Sequence, residues 1–291
     1  MNDHLVRILS KDGSLRAVAA ATSDLTRTIC QRQGTDPTAA VALGRLVTGT
    51  ALMGALLKGK QRLALMIEGN GPLQRLHTET DADGHLCGSV KNPLAGLPPK
   101  EDRFDVAGAI GKAGFLHVIK DLGLKEPYRG MVQLYTSEVA EDLAYYLTTS
   151  EQVPSTVGLG VNLNEDLEVA TAGGFMVQAM PGGDDALLSR LEERLQQMPS
   201  VSSLMRDGKT PLQILEQIFE GIPFTVQTET ALEFRCNCSR QQVAGILRSL
   251  DANEVRAMIE EDQGATVTCE FCKESYDFTI EELQALPQLK H

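Results

Sequence analysis

Cys236-Asn237-Cys238, then residues 239–268, then Cys269-Glu270-Phe271-Cys272: four of the six cysteines of this chain stand in two tight pairs in its last quarter. In an extended strand, residues two apart point to the same side, so Cys236 and Cys238 can present both sulfurs to one point. Cys-x-x-Cys in a tight turn does the same and is the usual half of a tetrahedral zinc site. Two such halves make a four-cysteine cage. The Cys-x-Cys half is shorter than the usual ligand spacing, which separates this site from generic zinc ribbons. Two bland readings compete. Cysteine is often a small buried core residue, but two close pairs argue against inert thiols. A disulfide scaffold suits small secreted chains, and this chain is neither small nor visibly secreted.

At 291 residues the length suggests about two domains. The net charge of −12 is spread along the chain and repels phosphate backbones, so general nucleic-acid binding is disfavoured. Met1-Asn2-Asp3-His4 leads into no apolar run of the signal-peptide kind, so the expectation is a cytoplasmic protein whose thiols stay reduced.

Upstream of the cage the pattern is mixed. Residues 4–9 and 14–22 read as strands around an Asp12-Gly13 turn. Ser23 is expected to cap a short helix stopped by Gly34. Asp36-Pro37 opens a longer helix, expected to run to about Leu57, with Gly59 as its stop. That helix is almost wholly apolar. Its length and apolarity would suit a membrane span, but Arg45 and three glycines inside it and the ordinary soluble flanks favour a buried core helix. Gly54 to Gln61 approaches a phosphate loop but lacks the metal-binding hydroxyl and the strand-to-helix order, so no ATP site is implied. Strands follow at 61–68, 73–80, 86–91, 115–120 and 128–136. Ser137 is expected to cap a helix through Thr149, and a last hairpin, 156–163 with 167–180, turns at Asn164-Glu165-Asp166. His77, His85 and His117 are scattered, and Cys30 and Cys87 are most simply structural. Strands mixed with a few helices indicate an α+β core domain over residues 1–181.

Beyond Pro181-Gly182-Gly183 the pattern turns helical. Asp184 or Asp185 caps a helix carrying Leu187, Leu188, Leu191, Leu195 and Met198, and Thr210-Pro211-Leu212-Gln213 is a capping box opening a second, shorter one. Their apolar faces need a partner: either plain packing on the N-terminal domain, or a docked, releasable linker over residues 182–235. Within the last segment, 236–291, Ser239 with Gln242 and Asp251 with Glu254 cap two helices, residues 265–278 read as strand, knuckle, strand, and Thr279 with Glu282 caps a final helix with Leu283 and Leu286. A segment of this size is marginal without a staple, and structural zinc supplies about 10–16 kcal/mol of what is largely folding energy. Thiolates are also what oxidants attack, so a four-thiolate site is a candidate oxidant sensor.

These cysteines, with the runs Lys11-Asp12-Gly13-Ser14-Leu15-Arg16-Ala17, Leu43-Gly44-Arg45, Val118-Ile119-Lys120-Asp121-Leu122-Gly123-Leu124, Ser150-Glu151-Gln152-Val153-Pro154-Ser155 and Ala172-Gly173-Gly174-Phe175, resemble the thirty-three-kilodalton bacterial heat-shock protein family, redox-regulated holdase chaperones. The resemblance runs over nearly the whole chain and shows no departure at the cysteines. It implies a non-enzymatic protein that holds unfolding clients without ATP. Its reduced form is inactive, with one zinc on Cys236, Cys238, Cys269 and Cys272. Oxidation and heat form Cys236–Cys238 and Cys269–Cys272 disulfides, zinc leaves, and a homodimer is the active state. The cysteine pattern taken without the resemblance leaves two other readings open: a zinc-stabilised adapter for a protein or nucleic acid, and a thiol–disulfide oxidoreductase using Cys269 and Cys272.

Overall fold

The structure, a computed structural model, describes residues 2–100, 103–181, 185–261 and 263–285. The chain divides into two compact units, Met1–Arg235 and Cys236–His291. In chain order the first unit runs β1 (His4–Ser10), β2 (Leu15–Ala21), α1 (Ser23–Gln33), α2 (Pro37–Gly54), β3 (Arg62–Gly69), β4 (Arg75–Asp81), β5 (His85–Val90), α3 (Val106–Ile110), β6 (Gly114–Asp121), β7 (Tyr128–Gln133), α4 (Val139–Thr149), β8 (Ser155–Leu163) and β9 (Val169–Ala179). It continues with α5 (Asp185–Gln197), α6 (Val201–Arg206), α7 (Pro211–Ile218), β10 (Phe224–Ala231) and β11 (Glu233–Phe234). The second unit holds α8 (Arg240–Arg248), α9 (Ala252–Glu260), β12 (Ala265–Thr268), β13 (Ser275–Phe278) and α10 (Ile280–Ala285).

The apolar helix α2 is the centre of the first unit. It packs on β2, β8 and β9 of one sheet and on β3, β4 and β5 of another. With a sheet on either side, a helix has no polar face to show, which is why its sequence is apolar all round. Added Cβ atoms at Gly44, Gly49 and Gly54 would sit 2.4–2.6 Å from Thr26, Leu143 and Thr80, so these glycines let neighbours approach closely. Among the described residues no helix is long and apolar enough to cross a membrane.

The first sheet has the order β10-β1-β2-β9-β8, all antiparallel, and the second β11-β5-β4-β3-β6-β7. The inner face of the first sheet, with Leu5, Val18 and Ala20, joins the α2 core. Its other face, with Val6, Ile8, Ala17, Ala19, Phe175 and Val177, is covered by Leu191 of α5, Leu204 and Met205 of α6, and Ile214, Leu215 and Ile218 of α7. A strand sandwiched on both faces reads as a continuous apolar run, as β2 does from residue 17 to residue 21.

Most local expectations hold. Asp36 accepts from the Ala39 amide with Pro37 behind it, and Thr210 and Gln213 close a capping box. Three do not. Ser23 does not cap α1. Its hydroxyl instead exchanges bonds with the backbone of Ala172 on β9, and the buried Asp3 carboxylate takes the Leu25 amide at 2.6 Å. Ser137 does not cap α4. It sits at φ 64° with its hydroxyl on Gly111 O, while Asp142 accepts the amides of Tyr135 and Thr136. Helix α2 ends at Gly54 rather than near Leu57, with the Arg7 guanidinium donating to Ala55 O at 3.0 Å. Gly59 serves the turn beyond, at φ 59°. The short helices α3 and α6 were not expected. Asp184 and Leu286 and the side chains of Leu187 and Leu188 lie outside the described residues.

Candidate metal centre

The second unit has a small core: Val243 and Leu247 of α8, Val255 of α9, Phe278 of β13 and Leu283 of α10 are its fully buried apolar residues. Its caps are local. Ser239 accepts the Gln242 amide, Asp251 and Glu254 form a capping box, and Thr279 and Glu282 exchange backbone-to-side-chain bonds at 3.0 and 3.3 Å. Arg240 grips both Glu282 oxygens at 2.7 Å while stacking 4.4 Å from the Phe278 ring centroid.

The hairpin β12–β13 carries the Cys-x-x-Cys turn. After the Thr268–Ser275 pair, the Cys269 amide donates to Glu274 O and the Lys273 amide to Cys269 O. Lys273 sits at φ 62°, a left-handed position that costs a non-glycine residue of order 1 kcal/mol and is held by the surrounding turn. The loop folds Cys269 and Cys272 back towards one point. Cys236 and Cys238 arrive on the segment that leads into the Ser239 cap of α8.

The four sulfurs converge. Cys236 Sγ lies 3.6 Å from Cys269 Sγ and Cys238 Sγ 3.3 Å from Cys272 Sγ, and all four lie within 4.8 Å of one another. A tetrahedron with metal–sulfur bonds of about 2.3 Å has edges of about 3.8 Å. The donor set is four soft, half-buried sulfurs with no imidazole or carboxylate among them, which fits zinc. None of the six cysteines is in a disulfide.

Electrostatically the cage wants a cation. Burial pushes the Cys236 thiol well up, with the neighbouring sulfurs of Cys238 and Cys269 adding to it, and burial likewise raises Cys272. Burial acts on Cys269 too, but the amides of Cys272 and Phe271 outweigh it and hold this thiol below its ordinary value. Of Cys236, Cys269 and Cys272, Cys269 is therefore the readiest thiolate, and a divalent cation at the centre would favour the thiolate at every ligand. Tyr276 was not singled out from sequence. Its hydroxyl lies 3.2 Å from Cys238 Sγ, and strand alternation alone does not mark it.

The other cysteines stand apart from this cluster. Cys30 and Cys87 are buried in the first unit. Burial pushes the Cys30 thiol up to about 12. Asp81, Asp83 and His85 also come together, but as a closed turn: Asp81 Oδ1 accepts the amides of Asp83 and His85, and its Oδ2 lies 2.9 Å from His85 Nδ1.

Fold and site define an α+β protein with a C-terminal four-cysteine unit of zinc-site geometry. The family model described as Hsp33 protein matches residues 3–279, and the chain belongs to the Hsp33 family. The 33 kDa chaperonin of Syntrophotalea carbinolica is 63% identical over 286 residues, covering 98% of this chain and 99% of that protein. That of Geobacter sulfurreducens is 52% identical, covering 98% and 95%. The crystal structure of the 33 kDa chaperonin of Thermotoga maritima superposes with a TM-score of 0.91 at 35% identity, covering 98% of each chain.

Proposed function

We propose that this protein is a redox-regulated, ATP-independent holdase chaperone of the cytoplasm, acting on unfolding client proteins rather than as an enzyme. The observation that carries the reading is the convergence of four sulfurs within 4.8 Å in a unit with so small a core. In the reduced chain Cys236, Cys238, Cys269 and Cys272 hold one zinc ion, which supplies cross-linking and thiolate stabilisation.

Cys236 and Cys238 then form one disulfide, and Cys269 and Cys272 the other. Each pair of thiolates reduces one peroxide: the sulfurs lose two electrons and join, the O–O bond breaks, and two protons complete two water molecules. Sulfurs bound in disulfides no longer hold the ion. The second unit then loses the energy that folded it, since a ligand bound only to the native state stabilises only that state. The roles fall to three segments: a core at 1–181, a releasable linker at 182–235 and a switch at 236–291. Helices α5, α6 and α7 cover Val6, Ile8, Ala17, Phe175 and Val177. Lifting them would free that face along with their own, at about 25 cal/mol per Å² of apolar area for a client to bury. The active form is proposed to be a homodimer. The acidic surface disfavours nucleic acid as a partner.

Light scattering of a heat-denatured client, with reduced and peroxide-treated protein in parallel and no nucleotide, tests this. Protection by the oxidised form alone is expected. Equal protection by both forms defeats the switch, and a strict ATP requirement defeats the holdase. Turnover of a small disulfide substrate would favour an oxidoreductase, but Cys269 and Cys272 lie in a strand–turn–strand knuckle, not at a helix N-terminus, where a helix dipole would lower a thiol.

A further inference from the structure

Among the described residues, strand β7 is the outer edge of the second sheet and pairs with β6 alone. Edge strands are usually blunted by lysine, proline, bulges or a covering element. The segment Tyr128-Arg129-Gly130-Met131-Val132-Gln133 has no lysine or proline, and its register with β6 is unbroken. Its glycine answers to the core, since a Cβ at Gly130 would sit 2.7 Å from the Tyr146 hydroxyl. Of the large apolar residues left exposed among those described, Phe115, Leu122, Leu124, Tyr128 and Met131 all belong to this one hairpin, Met131 at 57% exposure. The first sheet's edge strand β10 differs: its body, Thr225 to Thr230, is mostly polar, and its pairing carries a bulge.

The backbone of β7 shows which partner fits. Leu134 N donates to Gly114 O, so in this antiparallel pair the even-numbered residues bond inward to β6. The N–H and C=O groups of Arg129, Met131 and Gln133 point away from the sheet. The next outward donor, Tyr135 N, is already taken by Asp142 at 2.8 Å. The next outward position on the other side is Pro127, which has no N–H.

These open groups are symmetric about Met131. We propose that β7 is a dimerisation edge, to which a second copy of this chain adds its own β7 antiparallel, about a two-fold axis at Met131. Arg129 of each chain then faces Gln133 of the other, and Met131 faces its own copy. Three directly opposed, hydrogen-bonded pairs give about six backbone bonds. One residue further out, Pro127 would meet Tyr135: a missing donor opposite a spent one. The register therefore ends by itself where the free groups end, with no like charges opposed. An arbitrary client segment has no such reason to match. Such a contact is isologous and closes at two copies. Strand pairing alone buries less than the roughly 1,200 Å² of a stable interface, so the affinity should be moderate and concentration-dependent.

This inference rests on the proposal that the active chain self-associates, and it gives that association a face. The experiment is sedimentation velocity on the peroxide-treated full chain over a range of concentrations, for wild type, Met131→Lys, Met131→Glu and an equal mixture of the two variants. Met131 is exposed, so each variant should keep the wild-type circular dichroism and melting temperature. Like charges on the axis should weaken each variant's dimer at least tenfold, or about 1.4 kcal/mol. Mixing Lys with Glu should restore the dimer, which a misfolded variant would not do. A wild type that stays monomeric overturns both the self-association and its face. Wild-type dimers with unaffected variants, or no rescue on mixing, overturn the face alone. Hydrogen exchange gives a second reading: protection of the Arg129, Met131 and Gln133 amides should rise with protein concentration. Protection appearing only when an unfolded client is added assigns the edge to clients and overturns the proposal.

Discussion

The Tyr276 hydroxyl lies 3.2 Å from Cys238 Sγ, placing an O–H donor against one sulfur of the cage. That hydrogen bond pushes the Tyr276 hydroxyl above its ordinary range, because only the protonated phenol can donate to the sulfur. Outer partners of metal ligands are commonly worth 10–100-fold in affinity. Tyr276→Phe is therefore expected to weaken zinc binding about tenfold and to speed its release by peroxide. Competition with a chromogenic chelator measures the first and the rate of zinc appearance the second. Unchanged values would mean that the hydroxyl bonds to solvent instead.

Reduced protein is expected to carry one zinc with four sulfurs at about 2.3 Å. X-ray absorption checks this, and nitrogen or oxygen in the innermost shell would overturn the assignment. Chelation should unfold residues 236–291 and leave the α2-centred core intact, because the two units have separate cores. Limited proteolysis with mass mapping reads the difference.

Cys30 and Cys87 are expected to be dispensable for switching, and Cys30→Ser and Cys87→Ser should release zinc at the wild-type rate. In native protein near neutral pH Cys30 should also resist alkylation, since its thiol is buried and pushed up to about 12. Loss of peroxide-triggered zinc release in either variant would require a different pairing model.

Asp142 provides a pH test. Burial raises its carboxyl above the unfolded value of 3.8 despite three backbone donors. The folded state thus binds the proton more tightly. Its contribution to stability is most favourable below the unfolded value and declines as pH rises through the raised folded value. Asp142→Asn keeps an oxygen for the Tyr135 and Thr136 amides and removes the charge. Urea unfolding of the first unit should show the variant gaining on wild type as pH rises from the unfolded value through the raised folded one. A constant difference across that range would argue against the buried charge.

Ile214, Leu215 and Ile218 are fully buried between α7 and the first sheet. Ile218→Ala is expected to cost about 2–5 kcal/mol and to raise binding of an apolar dye by the reduced protein. Reduced Ile218→Ala should also give partial client protection without peroxide. A destabilised variant with no gain in protection would separate this face from client holding.

Features whose causes are local are legible in the amino-acid order. The paired cysteines, the Asp36-Pro37 start and the Thr210, Ser239 and Asp251 caps lie within a few residues of what they bond, as do the Asp12-Gly13 and Asn164 turns. What the chain does with distant partners was decided by the tertiary structure. Serines at 23 and 137 have cap chemistry, but Ala172 and Gly111 took their hydroxyls, and Asp3, just ahead of β1, reached across to serve α1. Helices α3 and α6 are too short to form on propensity and exist because they are packed. β10 pairs with β1, and β11 lies parallel to β5, across most of the chain's length. Above all, Arg45, the internal glycines and the flanks of α2 favour a core helix over a membrane span, but they do not say which surfaces bury it. Burial between two sheets is a property of the partners, and only the folded chain brings them together.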